Sequence, residues 1–349
     1  LYHQLLFFEC VWLENCISLC SCTCSRAMEG SDWTRYDISV SSRLAEVLLI
    51  TLPAIALSNT LNLVTFKQMK KLQLQHYLII CLSVVDLATV LPHLVGLIGY
   101  LKGYLILNYT VCQVIAISNH AVVSATTWIH CGICINKCLS ILKPLMHRQF
   151  VTKYQPRQIA AIFSVTIIVL IFALMSGVSF TGVINAVFNP VAATCMYFID
   201  LPYLFIVGMS FIFIPLVTAL VTHILILIEI RKSNLRRKKR IKNAMKSTAF
   251  IVIVYYVCWL PYLVFVIWQI SFPKVQLPKL FEFVSINLII GNSCMNLFIY
   301  CFCNKDFRES LKDLFLRKKR TIICERAGDH SLREAKSLSS ATPGTDSVE

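Results

Sequence analysis

Asp86 is the residue most out of place in this sequence, a carboxylate inside the apolar run LIICLSVVDLATVLPHLVGLIGY (78–100). A charge buried that deeply in an apolar segment is costly unless paired or hydrated, which makes it a candidate functional group. With neutral oxygens and water around it, such a carboxylate suits a small hard cation. The other reading is a hydrated polar network that pins helices together without an ion. A second constellation is Trp259-Leu260-Pro261. Proline frees a backbone carbonyl one turn earlier and bends its helix, so an indole beside it can couple local contacts to movement of the inner end. A static bend with a packed indole is the plainer alternative. Nothing in the chain points to catalysis: no Ser-His-Asp set, Walker loop or HExxH motif appears, and the scattered histidines lack metal-ligand spacing.

The elements that must position these groups are legible from composition. The chain has 349 residues, of which 57% are hydrophobic and 15% charged. Long apolar runs of this kind mean membrane spans rather than a soluble domain. The net charge of +15 is not the footprint of a nucleic-acid binder, because Lys and Arg gather between apolar runs and near the C-terminus. Most of the sixteen cysteines lie within apolar runs, where a free cysteine behaves as a small hydrophobe.

Seven apolar segments cover approximately 44–66, 77–100, 111–135, 159–182, 201–229, 247–271 and 280–303. Each is long enough to cross about 30 Å of hydrocarbon. The stretch Val111–Leu145 organises the others. Its Gln113, Ser118, Asn119, His120, Ser124, Thr126, Thr127 and His130 are too many polar groups for a helix surrounded by lipid. It is therefore expected at the centre, touched on most sides by other helices. No internal repeat of the transporter kind is found.

Lys67, Lys70 and Lys71 follow the first segment, Lys143, Arg148, Lys153 and Arg157 the third, and RKSNLRRKKRIKNAMK (231–246) the fifth, whereas 183–200 contains no Lys or Arg. Basic loops inside place the N-terminus outside and the C-terminus in the cytosol. The sequon Asn108-Tyr109-Thr110 then falls outside, as glycosylation at Asn108 requires. Residues 1–43 read as an extracellular tail, with 1–27 expected to lie upstream of a native start at Met28; its clustered cysteines at 16, 20, 22 and 24 are candidates for metal or disulfides otherwise. After the block of apolar segments 44–303, residues 304–320 carry Phe307, Leu311, Leu314 and Phe315 at helical spacing among charges, an amphipathic helix on the inner leaflet. Cys324 is a candidate for a lipid chain, an unmodified thiol being the alternative, and 321–349 reads as a disordered tail with phosphorylatable Ser and Thr.

Ordered landmarks carry a resemblance. Ser58-Asn59-Thr60-Leu61, Leu82-Ser83-Val84-Val85-Asp86-Leu87, Cys258-Trp259-Leu260-Pro261, and Asn292-Ser293-Cys294-Met295-Asn296-Leu297-Phe298-Ile299-Tyr300 followed by Phe307-Arg308 stand in successive segments. Together they resemble the rhodopsin-like (class A) G-protein-coupled receptors from about residue 40 to 320. The fold implied is an all-α bundle of seven transmembrane helices with a short amphipathic helix after the last. The resemblance implies a Cys112–Cys195 disulfide, and it gathers Thr126, Asn292, Ser293 and Asn296 around Asp86, by analogy as a sodium site. No other cofactor is expected. It implies a switch built from Asn136, Lys137, Pro215, Tyr255, Trp259, Pro261, Asn296 and Tyr300.

The chain departs from the family at several of these places. Asn136-Lys137-Cys138 replaces Asp-Arg-Tyr, Ser164 the fourth-span tryptophan, Leu297 the proline of Asn-Pro-x-x-Tyr, His223 a tyrosine and Tyr255 a phenylalanine. Lysine keeps the charge of arginine without its planar fork. Both raised basal activity and weakened coupling follow from these changes, with weak or unusual coupling favoured. The resemblance also walls an outer ligand site with Asn119, His120 and Val123, Trp259, Tyr262 and Val266, and Ile286 and Ile290. Asn119 stands where amine receptors carry aspartate, and Ile290 where opsins carry their Schiff-base lysine, so both subfamilies are disfavoured.

The expected function is a plasma-membrane receptor. It would bind an extracellular neutral small molecule or peptide and act on a heterotrimeric G protein and on arrestin, with the bilayer as its other partner. The rivals are a non-signalling decoy or heterodimer partner and, less favoured, a transporter.

Overall fold

A computed structural model of the chain describes residues 34–37, 42–102, 104–180, 184–189, 194–199, 212–233, 235–272, 275 and 277–316. The expectations for 1–27, for Cys324 and for the tail 321–349 lie outside these residues.

In chain order the elements are β1 (Thr34–Asp37), α1 (Ser42–Gln68), α2 (Leu74–Ala88), α3 (Val90–Lys102), β2 (Tyr104–Leu107), α4 (Tyr109–Leu142), α5 (Pro144–Tyr154), α6 (Pro156–Phe180), β3 (Ile184–Asn189), β4 (Thr194–Ile199), α7 (Ile214–Lys232), α8 (Leu235–Ser271) and α9 (Lys279–Cys303). A last helix, α10, covers 305–316. Among the described residues six stretches are long and apolar enough to cross a membrane: Val47–Gln68, Leu74–Gly99, Pro156–Gly177, Ile214–Lys232, Ala249–Gln269 and Lys279–Cys303. The seventh helix of the bundle is α4, with 34 residues. It has ample length, and its polar side chains dilute its apolar character. The protein is a seven-helix membrane bundle, as the sequence leads one to expect.

The centre of that bundle is α4. Ser124, Ala125, Thr126, Thr127, Ile129, His130, Cys131, Ile133 and Cys134 form one nearly continuous buried stretch. Thr126 donates to Asp86 of α2, while Thr127 and His130 bond to backbone carbonyls of α4 itself, which offsets their desolvation. By contrast α6 turns Ile162, Val165 and Val169 outward, the surface a lipid-facing helix needs. Where α4 and α6 meet, Gly132 makes room for a ring: a Cβ there would stand 2.7 Å from Phe163 Cε1.

Three segments differ from the sequence expectation. The second span breaks at Thr89, between α2 and α3. Pro92 lacks the N–H that would bond the Ala88 carbonyl, and its ring crowds that carbonyl. Thr89 Oγ1 donates instead to the Asp86 carbonyl at 2.6 Å. The basic segment 231–246 is mostly not a loop, because α8 starts at Leu235 and runs unbroken through 37 residues to Ser271. Lys, Arg, Ala and Met are good helix formers, and no proline intervenes before Pro261. Residues 183–200, for which the all-α expectation holds no strand, contain β3 and β4 paired antiparallel, with Ile184 opposite Ile199 and Asn189 opposite Thr194. A second small sheet joins β1 to β2, pairing Thr34 with Leu107. Both small sheets lie at the end of the bundle where α4 begins; α5 and the basic start of α8 lie at the other.

After α9 the chain turns at Asn304, whose Oδ1 accepts the Phe307 N–H at 3.1 Å and so caps α10. Arg308 Nη1 donates to the Cys301 and Phe302 carbonyls at 2.9 and 3.1 Å, satisfying the end of α9. The apolar stripe of α10 divides. Phe307 is fully buried against Phe66 and Tyr300, with ring centroids 5.0 and 5.8 Å away, while Phe315 points outward.

Candidate functional site

Asp86 sits in the last turn of α2, just before the break, and is fully enclosed. Its Oδ1 accepts from Ser293 Oγ at 3.0 Å and from Thr126 Oγ1 at 3.3 Å; its Oδ2 accepts from Asn296 Nδ2 at 2.7 Å. One carboxylate thus gathers α2, α4 and α9. Asn292 is buried on α9 but is not among its hydrogen-bond partners. The donor set fits a small hard cation: the carboxylate and two hydroxyls present oxygen only, and each hydroxyl keeps lone pairs to offer. Among the described residues no cluster of His, Cys, Asp and Glu suits a transition metal.

A column of rings leads from this centre toward the hairpin end. His130 Nδ1 donates to the Thr126 carbonyl at 2.9 Å, and Asn296 is also its hydrogen-bond partner. The imidazole stacks on Tyr255, with centroids 5.1 Å apart and planes at 25°. Tyr255 touches Trp259 at 5.8 Å, and Trp259 meets the edge of Tyr262 at 6.5 Å. Trp259 is almost wholly buried, two residues before Pro261 inside α8. Pro215 lies in the first turn of α7 as described, and the neighbouring Leu216 carbonyl accepts the Tyr256 hydroxyl at 2.7 Å, tying α7 to α8. Sequence reading missed His130, although its spacing of four from Thr126 was visible.

Of the residues proposed to wall a ligand site, Val123, Trp259 and Tyr262 pack in one cluster, and Tyr262, Ile286 and Ile290 in the next, with Met196 of β4. Tyr262 links the two. Val266 is half-buried further along α8 and joins neither. Asn119 Nδ2 donates to Thr194 Oγ1 at 2.7 Å and to the Cys195 carbonyl at 3.4 Å, so its amide holds the hairpin in place. His120 beside it is half-buried. Cys112 and Cys195 are disulfide-bonded, with Cα atoms 5.4 Å apart, which fixes β4 to the start of α4. Asn108 caps α4, its Oδ1 accepting the Val111 N–H at 2.8 Å.

At the opposite end Asn136 and Lys137 make no ion pair among the described residues. Asn136 Oδ1 accepts from His147 Nε2 of α5 at 2.8 Å, and Lys137 Nζ donates to Gln75 Oε1 at 3.3 Å. Partial burial holds the His147 imidazole below its ordinary pKa. Tyr300, the last switch residue, is buried edge-on to Phe66 at 6.0 Å.

This order of a disulfide-pinned hairpin, a buried carboxylate and a tryptophan-proline helix has a counterpart among known proteins. Residues 58–300 match the family described as 7 transmembrane receptor (rhodopsin family). The chain belongs to that family. Its relatives include the mouse (Mus musculus) somatostatin receptor type 2, 31% identical over 120 residues, which is 32% of this chain and 31% of that receptor. The human (Homo sapiens) relaxin-3 receptor 1 is 31% identical over 88 residues, 23% of this chain and 19% of the other. The mouse melatonin receptor type 1A aligns more fully, 24% identical over 292 residues, 79% of this chain and 81% of that one. The first two matches therefore span less than a third of those receptors. Receptors of this kind are not enzymes, and the protein is a multi-pass membrane receptor of the non-opsin branch.

Proposed function

We propose that the chain is a plasma-membrane receptor, N-terminus outside, that binds an extracellular small molecule or peptide at the hairpin end and acts on a heterotrimeric G protein, and on arrestin, at the basic end. The observation that carries this is the continuous column Tyr262–Trp259–Tyr255–His130, which joins the expected ligand walls to the Asp86 network. A ligand that shifts Trp259 can move only by repacking that column, because packed cores take discrete arrangements rather than deform continuously. Ligand binding then biases a pre-existing equilibrium in which the inner part of α8 moves.

Asp86, Thr126 and Ser293 would hold a sodium ion, with Asn292 and Asn296 lining the site. The ion supplies a positive charge that compensates the buried carboxylate and favours the arrangement in which α2, α4 and α9 stay together. The relatives are named for somatostatin, relaxin-3 and melatonin, three different ligands, so similarity alone does not choose among them.

A second reading, a non-signalling binding protein or heterodimer partner, is favoured by the inner end. Lys137 lacks arginine's fork and is engaged by Gln75, and Asn136 is engaged by His147. Ligand screening with arrestin recruitment and a conformational sensor, followed by nucleotide exchange on purified G proteins, separates the two. Ligand-driven exchange supports the signalling receptor; a ligand that shifts the sensor and yields neither exchange nor arrestin recruitment overturns it.

A further inference from the structure

The pairing of β3 with β4 sets Asn189 directly opposite Thr194. Directly opposed residues in an antiparallel pair put their side chains on the same face. Two different helices attach to that one pair. From α4, Asn119 Nδ2 donates to Thr194 Oγ1 at 2.7 Å, and from α9, Glu282 Oε1 accepts from Asn189 Nδ2 at 3.4 Å. The amide of Asn119 and the carboxylate of Glu282 are therefore tied to one cross-strand pair, within about 15 Å of each other. Both donors of this arrangement belong to the protein, and the acceptors are left over. Among the described residues Asn119 Oδ1 is buried with no partner. Glu282, half-buried, makes a single long hydrogen bond among them, although a carboxylate can accept about four.

No close ion pair answers this need among the described residues. Lys279, one turn earlier on α9, is exposed, and its charge reaches Glu282 only through space. Residues 183–200, hairpin included, carry no Lys or Arg. Glu282 lies within electrostatic range of Tyr262, which bridges the two apolar clusters of the expected ligand site. It stands in the first turn of α9, where the helix dipole favours a negative charge.

We propose that the hairpin end takes a ligand bearing a cationic nitrogen group, an ammonium or guanidinium such as a lysine or arginine side chain of a peptide, paired with Glu282 and donating to Asn119 Oδ1. The proposal rests on the receptor reading and sharpens it. Asn119 taken alone points to a neutral ligand; Glu282 supplies from α9 the charge that α4 lacks. An ammonium or guanidinium provides donors and positive charge together, whereas a neutral amide satisfies the acceptors without compensating the carboxylate.

The test uses N-acetylated tripeptide amides made in matched arginine, lysine and citrulline versions. Binding to the purified full-length chain is read as dose-dependent thermal stabilisation. Arginine or lysine members are expected to bind about tenfold or more tighter than their citrulline partners, since a charge-assisted pair replaces a neutral one. Glu282→Gln should erase that preference, and Glu282→Asp should keep part of it. Citrulline members that bind equally well, cationic members that do not stabilise, or a preference that survives Glu282→Gln would each overturn the proposal. Nucleotide exchange separates the two readings. Glu282-dependent binding without exchange upholds the cation site and counts against signalling. Exchange driven equally by citrulline members upholds the receptor and refutes the cation site.

Discussion

Replacing Asp86 by asparagine tests the centre of the bundle. In the protein Oδ1 receives two hydroxyls and Oδ2 one amide, at 3.0, 3.3 and 2.7 Å. Neutralising the acceptor costs about 1 kcal/mol per bond, the difference between charge-assisted and neutral hydrogen bonds, hence about 3 kcal/mol for the three. The introduced amide can keep its oxygen toward Asn296 Nδ2 and turn its nitrogen to the Ser293 and Thr126 hydroxyls, which accept as well as donate. Against this, removing an enclosed carboxylate returns several kcal/mol of desolvation. The two effects are comparable, so without sodium Asp86→Asn should melt close to the unmodified protein. Sodium breaks the tie. A bound ion at ten times its dissociation constant stabilises by about 1.4 kcal/mol, a rise of about 3 °C for a domain of this size. The assay is thermal unfolding of the purified receptor in sodium chloride and in choline chloride at equal ionic strength. The unmodified chain should gain a few degrees in sodium and Asp86→Asn none. An increment that persists in Asp86→Asn, or is missing from the unmodified chain, refutes the ion site.

The other expectations are simpler. Lys137→Arg restores a planar fork at the inner end of α4 and should raise nucleotide exchange several-fold; no change would remove Lys137 as the cause of weak coupling. Gly132→Ala drives a methyl into the Phe163 ring and should lower stability by about 1 kcal/mol, overpacking outweighing the helix gain, and Phe163→Leu in the same chain should recover it in a thermal melt. Thr110→Ala should remove a glycan from Asn108, seen as faster gel migration, with stability unchanged. Asn108→Gln should show the same migration and in addition lose about 1 kcal/mol from the cap on α4.

The spans were legible because lipid demands long apolar runs, and α4 stood out because its polar residues need neighbours. The Asp86 partners Thr126, Ser293 and Asn296 were reachable through the resemblance alone, since they stand up to 210 positions away in the chain. Pro92 was readable as a helix breaker, and a stricter reading would have placed the break at Thr89. The helical start of α8 was missed because basic residues were taken as loop, although their intrinsic preference is helical. Glu282 escaped notice for a different reason. In sequence it is one acid near the start of a span, and its significance appears only once Asn189, 93 residues away, is set opposite Thr194.

The unbroken length of α8 has a mechanical consequence. From Pro261 back to Leu235 the helix runs about 39 Å at 1.5 Å per residue, longer than the hydrocarbon of the bilayer. Turned about the proline, it is a lever with its short arm at the ligand and its long arm outside the membrane. A swing of about 5° at the pivot carries the far tip roughly 3 Å, the width of a water molecule, so a contact too small to notice at one end becomes a gap at the other.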